Sequence, residues 1–137
     1  MAGSFTDYLE VELLDQIVGK TDWTMPTAYV ALYTVAPTDS TAGTEVADAA
    51  AYARKSTAGS DWNAAASGSI SNVNDITFVQ ATGSWGTVNS FALTDNAAHE
   101  TGNQLVWGDL TTSKAINNGD TAKFAGGTPG ALVITLD

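Results

Sequence analysis

The chain has 137 residues and a mass of 14.1 kDa, enough for one domain around one sizeable hydrophobic core. Five Lys and Arg stand against 15 Asp and Glu, a formal charge of −10, which excludes the clustered cations that hold nucleic acid or an anionic membrane surface. Cysteine is absent, so neither a disulfide framework nor thiolate chemistry is available, and no apolar run approaches the roughly 20 residues of a spanning helix.

The N-terminus lacks the basic-then-apolar layout of a signal peptide, and the chain reads as soluble and unprocessed. Charged residues make up only 15%, while Gly, Ala, Ser, Thr and Asn are abundant, a composition that suits short strands joined by turns. One segment departs from it. Ser4 is placed to cap a helix, Asp7 follows three positions on, and Tyr8, Leu9, Leu13 and Ile17 recur at helical spacing. Gly19 can take the left-handed conformation after a last turn, and Asp7, Glu10, Glu12 and Asp15 lean toward the positive end of the helix dipole. A helix is predicted over about residues 5–18. Val11, Leu14 and Val18 lie off its main apolar stripe, so the helix is either packed wholly within its own domain or shared with a neighbouring chain.

Pro26 opens a stretch in which Ala28, Val30 and Leu32 face one side and Tyr29, Ala31 and Tyr33 the other. This predicts a strand buried on both faces in the middle of a sheet, with Pro at its start where a missing donor does least harm. The loop over residues 36–43 is rich in turn formers and is expected to be mobile and to project from the body. Short strand candidates then recur around 52–57, 76–78, 88–94, 105–110, 121–124 and 132–136, with turn clusters between them. Within Ile116-Asn117-Asn118-Gly119-Asp120, the Asn-Gly pair predicts a tight hairpin. Strands at short intervals without alternating helices define the expected fold. It is a mainly β, antiparallel, jelly-roll-like sandwich with one N-terminal α-helix, a single domain over residues 1–137.

Chemistry is sparse. His99 is the only histidine, so no triad with a second imidazole and no His-based metal cluster can form within one chain. It is expected to sit exposed in a hairpin loop, Asn96 to Asn103. Two acids across a groove could hydrolyse a glycoside, but the acids here are scattered through turns and caps, where they bond local backbone donors. The alternating Asp ladder of an EF-hand is missing, although the loop Asn72-Val73-Asn74-Asp75 has oxygens for an adventitious ion. Neither a phosphate-cradling loop nor a dinucleotide fingerprint occurs. Of the four tryptophans, Trp85 and Trp107 suit packing against a sheet with the indole nitrogen bonded at an edge. Trp23 and Trp62 are freer to stack on a sugar. The residues assign no catalytic group, no cofactor and no metal site.

The order Tyr29-Val30-Ala31-Leu32-Tyr33-Thr34-Val35-Ala36-Pro37-Thr38-Asp39, then Gly43-Thr44-Glu45-Val46, Tyr52-Ala53-Arg54, Ile76-Thr77-Phe78, Trp85-Gly86-Thr87-Val88 and Leu110-Thr111-Thr112-Ser113-Lys114, resembles a family of small tailed-bacteriophage virion proteins. The N-terminal Leu-Leu-Asp helix and the closing Ile134-Thr135-Leu136-Asp137 fit the same family, which is labelled tail fibre or head decoration. The likeness spans nearly the whole chain. One departure is Ala47-Asp48-Ala49-Ala50-Ala51, where relatives tend to have Gly or Ser.

The resemblance implies a virion structural protein, and charge narrows its place. A chain this acidic is repelled by packaged DNA, which favours the outer capsid surface or the tail over the interior. Small and without long heptads, it suits a decoration or cement protein better than a shaft. Its expected partners are the major capsid protein and copies of itself, as a trimer about a local threefold. The expected contacts are Phe5, Tyr8, Leu9 and Leu13 on the helix, then Pro37, Thr38 and Asp39 on the loop. The alternative is a tail-tip module that binds a host receptor or glycan through exposed aromatics and the polar segment Asp95 to Asn103. A carboxylate-driven depolymerase is the third possibility, and no enzymatic activity is expected.

Overall fold

The longest strands lie side by side in one antiparallel sheet. In the computed structural model, which describes residues 3–136, β1 (Gly3–Phe5), α1 (Asp7–Ile17), β2 (Tyr29–Val35), β3 (Thr44–Glu45) and β4 (Lys55–Ser56) come first. A 3-10 turn at Gly59–Asp61 leads to β5 (Ser69–Ser71), β6 (Ile76–Thr77), β7 (Gly86–Thr94), β8 (Gln104–Ile116), β9 (Lys123–Phe124) and β10 (Val133–Thr135). An antiparallel sheet runs β1-β8-β7-β2-β3, with β4 also paired to β2. Two small antiparallel ribbons, β6-β9 and β10-β5, complete a mainly β, sandwich-like fold with one N-terminal helix.

The main core lies where Val30, Leu32, Phe91, Leu93 and Val106 of the sheet meet Ile76, Phe78, Phe124, Leu132 and Ile134, with Leu9 of α1 at one end. On the opposite face Ala31, Tyr33 and Ala92 are buried against Trp107. Strand β2 is therefore buried on both sides, as its alternation predicted. Two irregularities in the β7-β8 pairing adjust which side chains point inward. Opposite the single residue Asn89, β8 carries four, Leu110 to Ser113, and Val88 and Phe91, three positions apart, both reach the main core. Between Leu93 and Thr94 a second shift leaves Leu105 unpaired, and Leu105 and Val106 both point inward.

The helix begins later than the sequence suggested. Residues 3–5 pair with β8 (Ser4 opposite Trp107), so Ser4 caps nothing and Phe5 is a strand residue. Thr6 is the cap, its Oγ1 accepting from Leu9 N at 3.4 Å. At the other end Gly19 adopts φ +70°, donating to Gln16 O while Lys20 N donates to Asp15 O, a Schellman closure.

Two further expectations are corrected. The 36–43 loop does not project: Trp107 Nε1 donates to Asp39 Oδ1 at 2.8 Å, Asp7 N to Asp39 O at 3.0 Å, and Gln104 Nε2 to Ala42 O at 2.8 Å, while Pro37 is buried. The loop folds back against the Tyr33 and Trp107 face, which would otherwise meet water. Residues 117–120 do form a turn, with Asp120 N donating to Asn117 O and Gly119 at φ +89°, but no hairpin. The strand after it, β9, pairs with β6 (Ile76 opposite Phe124) in the facing layer instead of returning along β8. The hairpin in this region is β7-β8, closed by residues 95–103.

The 72–75 loop is a staple for the second layer. Asn72, wholly buried, donates through Nδ2 to the carbonyls of Asn74, Phe124 and Ala125, and its Oδ1 accepts from Leu132 N at 2.8 Å. Asp75 accepts from Gly126 N and Lys123 Nζ, which holds its carboxyl below the usual carboxylate range. The backbone of Gly130 passes so close that a Cβ there would overlap the Asn72 carbonyl. In the Ala-rich segment, Ala50 and Ala51 take φ +54° and +64°, the left-handed region where glycine is at ease.

Candidate interaction surface

Two turns of chain, residues 36–43 and 95–103, and the first turn of α1 enclose an open cleft of about 620 Å³ lined for the most part by polar residue types. Its floor is set by the chain's only arginine. Arg54 donates from Nε to Glu45 Oε1 at 2.8 Å and from Nη2 to Glu45 Oε2 at 2.7 Å, a bidentate pair with both side chains buried. Its Nη1 reaches Thr94 Oγ1, Asn96 O and Thr101 O, so one guanidinium ties β3 to the end of β7 and to the β7-β8 loop. Glu45 Oε1 also accepts from Tyr52 Oη at 2.8 Å and Oε2 from Glu100 N at 3.0 Å. Burial alone would raise the Glu45 carboxyl, but Arg54, the Glu100 N–H and the Tyr52 hydroxyl outweigh it and hold the carboxyl below its ordinary value. Burial pushes the Tyr33 hydroxyl up to about 12, with the Gln104 amide donating to it as a partial offset.

Tyr52 has a second role at this floor. The short strands β3 and β4 cover the two ends of β2, and the gap between them falls at Leu32. There the Tyr52 hydroxyl accepts from Leu32 N at 3.0 Å, and Val46 N donates to Leu32 O at 2.9 Å. Tyr52 also meets Trp85 edge to face at 5.3 Å, and Trp85 Nε1 donates to Ala50 O. His99 is half-buried rather than exposed: its Nε2 lies 2.9 Å from Val46 O and its ring is edge-on to Tyr52, because the 95–103 loop curls over Arg54.

The residues expected to make contacts divide. Tyr8, Thr38 and Asp39 line the cleft, and Thr38 and Asp39 are exposed. Leu9 is buried in the main core, Phe5, Tyr8 and Leu13 pack against it half-buried, and Pro37 is buried under its loop. Trp23 and Trp62 pack against the same core, so neither is an open sugar platform. Exposed apolar side chains gather most densely on the other side of α1, where Val11 is 58% exposed, Leu14 64%, Ile17 78% and Val18 75%, with Met25 nearby in sequence at 54%; Val35, Val73, Val79, Val133 and Leu136 are exposed elsewhere. Val11, Leu14 and Val18 are the positions that the periodicity sets apart from the stripe. Ile17 belongs to the stripe by spacing, yet as the last residue of the helix, before the Val18 cap, it is exposed.

No curated protein matches the chain significantly. A family profile does match, over residues 4–131, which take in the helix and the strands from β2 to β9. The chain thus belongs to the family described as Podophage GP4 fiber I protein gp80, a family of phage virion structural proteins with a fibre-related name.

Proposed function

We propose that this virion structural protein is a decoration, or cement, protein on the outer surface of the capsid, that its partners are the major capsid protein and copies of itself as a trimer, and that it catalyses no reaction. The observation that carries the reading is the exposed apolar side of α1 on a chain whose charge is −10. Four large aliphatic side chains left in water on one short helix are a surface to be covered, and the acidic remainder keeps the protein off packaged DNA. Burying such a surface against neighbouring subunits adds association free energy to a closed shell. The mainly β fold with its loops folded back suits a compact knob.

A second reading is a tail fibre or tail-tip subunit that engages a host receptor or glycan, and the fibre in the family description favours it. Its binding surface would be the polar cleft beside the 95–103 loop. Gold-labelled antibody against this protein on intact particles of its phage separates the two. Label distributed over the head is the expected result, and label confined to the tail would overturn the decoration reading in favour of the second.

A further inference from the structure

The exposed side of α1 has a counterpart elsewhere on the same molecule. Between the C-terminal half of β8 and β9 an open cleft of about 640 Å³ reaches the main core, with Val88, Leu110, Ala122 and Phe124 among its lining. Lys114 and Lys123 stand at it, Lys123 paired at 2.9 Å with Asp75, and Asp120 is the acid that lines it. Cations are scarce in this chain: Arg54 is buried against Glu45, Lys20 lies 3.6 Å from Asp15 on the helix itself, and Lys55 borders a different hollow. The two remaining lysines therefore both flank one apolar cleft.

The helix face carries the opposite pattern. Val11, Leu14 and Val18 follow three-four spacing, Glu10 and Asp15 flank them, and Asp7 lies one turn before Val11 on the same side. Packing this face against its own image would set carboxylates against carboxylates, so a symmetric helix pair is disfavoured. A groove with apolar walls, where Lys114 and Lys123 balance Asp75 and Asp120 so that it adds no net negative charge on a chain of −10, is the complementary surface. The helix cannot reach the groove of its own chain. It meets β8 near Leu105, whereas the groove begins at Leu110, five residues or about 16 Å farther along the strand, and the exposed side of α1 is turned away from the core onto which the groove opens.

We propose that α1 of one copy seats its apolar face in the β8-β9 cleft of the next, a head-to-tail contact between copies of this chain. The contact uses different patches on the two molecules, so it closes into a ring if the rotation permits and otherwise continues as a filament. It rests on the self-association in the proposed function, for which it supplies the surfaces, and holds for head or tail.

The test uses the purified full chain at about 100 µM, where a contact of micromolar affinity is largely formed, with mass read by light scattering after size exclusion. Wild type is expected to run as an oligomer. Leu14→Gln/Ile17→Gln and Lys114→Glu/Ala115→Glu, all at exposed positions, are expected to run as folded monomers with unchanged circular dichroism. An equal mixture of the two variants is expected at twice the monomer mass, because one retains the cleft and the other the helix. A monomeric wild type, a cleft variant that keeps the wild-type mass, or a mixture that stays monomeric would each overturn the proposal. None of these masses depends on where antibody labels the particle, so the contact and the capsid location fail separately.

Discussion

Glu45→Gln is the sharpest probe of the Arg54 centre. The carboxylate accepts four hydrogen bonds, from Tyr52 Oη and Arg54 Nε on Oε1 and from Arg54 Nη2 and Glu100 N on Oε2. In the amide, one oxygen becomes an NH2 group, so two donors face a third, and the guanidinium loses its counter-charge with only 3% of its side chain exposed. Breaking a buried ion pair on one side costs about 3–5 kcal/mol. At roughly 3 °C per kcal/mol for a domain of this length, thermal unfolding should fall by about 10–15 °C. The assay is calorimetry at pH 7 on wild type, Glu45→Gln, Arg54→Met and the double variant. The double variant should be less damaged than the sum of the singles, since removing both partners leaves no orphaned charge. A loss below about 1 kcal/mol for Glu45→Gln, or strict additivity in the cycle, would refute the argument that the pair anchors the loops.

The same pair sets a pH dependence. The folded Glu45 carboxyl lies below its ordinary value, so its stabilisation is complete above the unfolded carboxylate pKa of about 4.3 and is lost as pH falls through the folded value. The melting difference between wild type and Glu45→Gln should therefore narrow between pH 5 and pH 3, read by calorimetry across that window. Gly130→Ala should destabilise by about 2 kcal/mol or more in urea titrations, because a Cβ there overlaps the Asn72 carbonyl. Leu9→Ala should cost about 2–5 kcal/mol, whereas Leu14→Ala on the other side of the helix should stay within about 0.5 kcal/mol, both read from urea midpoints of the monomer. Ala51→Gly should stabilise by about 0.5–1 kcal/mol in the same assay, since the alanine holds φ +64° in the left-handed region.

What the sequence made legible was local. The two-sided burial of β2 followed from Tyr29 to Tyr33 alone, and the stop at Gly19 from its freedom at φ +70°. The spacing of Val11, Leu14 and Val18 likewise marks a second apolar side on α1. Expectations failed wherever a distant partner decided the outcome. Gly3 to Phe5 contains one large apolar residue and becomes strand only because β8 offers an edge. Asn118-Gly119 does turn the chain, but the strand that follows finds Ile76 and Thr77 instead of its neighbour in sequence. The loop at Pro37 to Gly43 is held by Trp107 and Gln104, which no local rule connects to it. For the Glu45–Arg54 centre one signal was present. A lone arginine in a chain with few cations, nine positions from a glutamate and two from a tyrosine, is the residue type suited to a buried bidentate pair.

The Tyr52 hydroxyl at Leu32 bears on crowding. An outer strand usually offers a row of free N–H and C=O groups on which another chain can add a strand, a hazard for any protein displayed in many copies at close range. Here β4 lies alongside Tyr29 and Val30, β3 alongside Tyr33 and Val35, and Tyr52 with Val46 takes the backbone groups of Leu32 between them. The outer border of β2 is thus occupied along its length by pieces too short to template another strand. Neighbouring copies at high local concentration would then meet through side chains, whose fit can be selective, and not through backbone, whose pairing is indiscriminate.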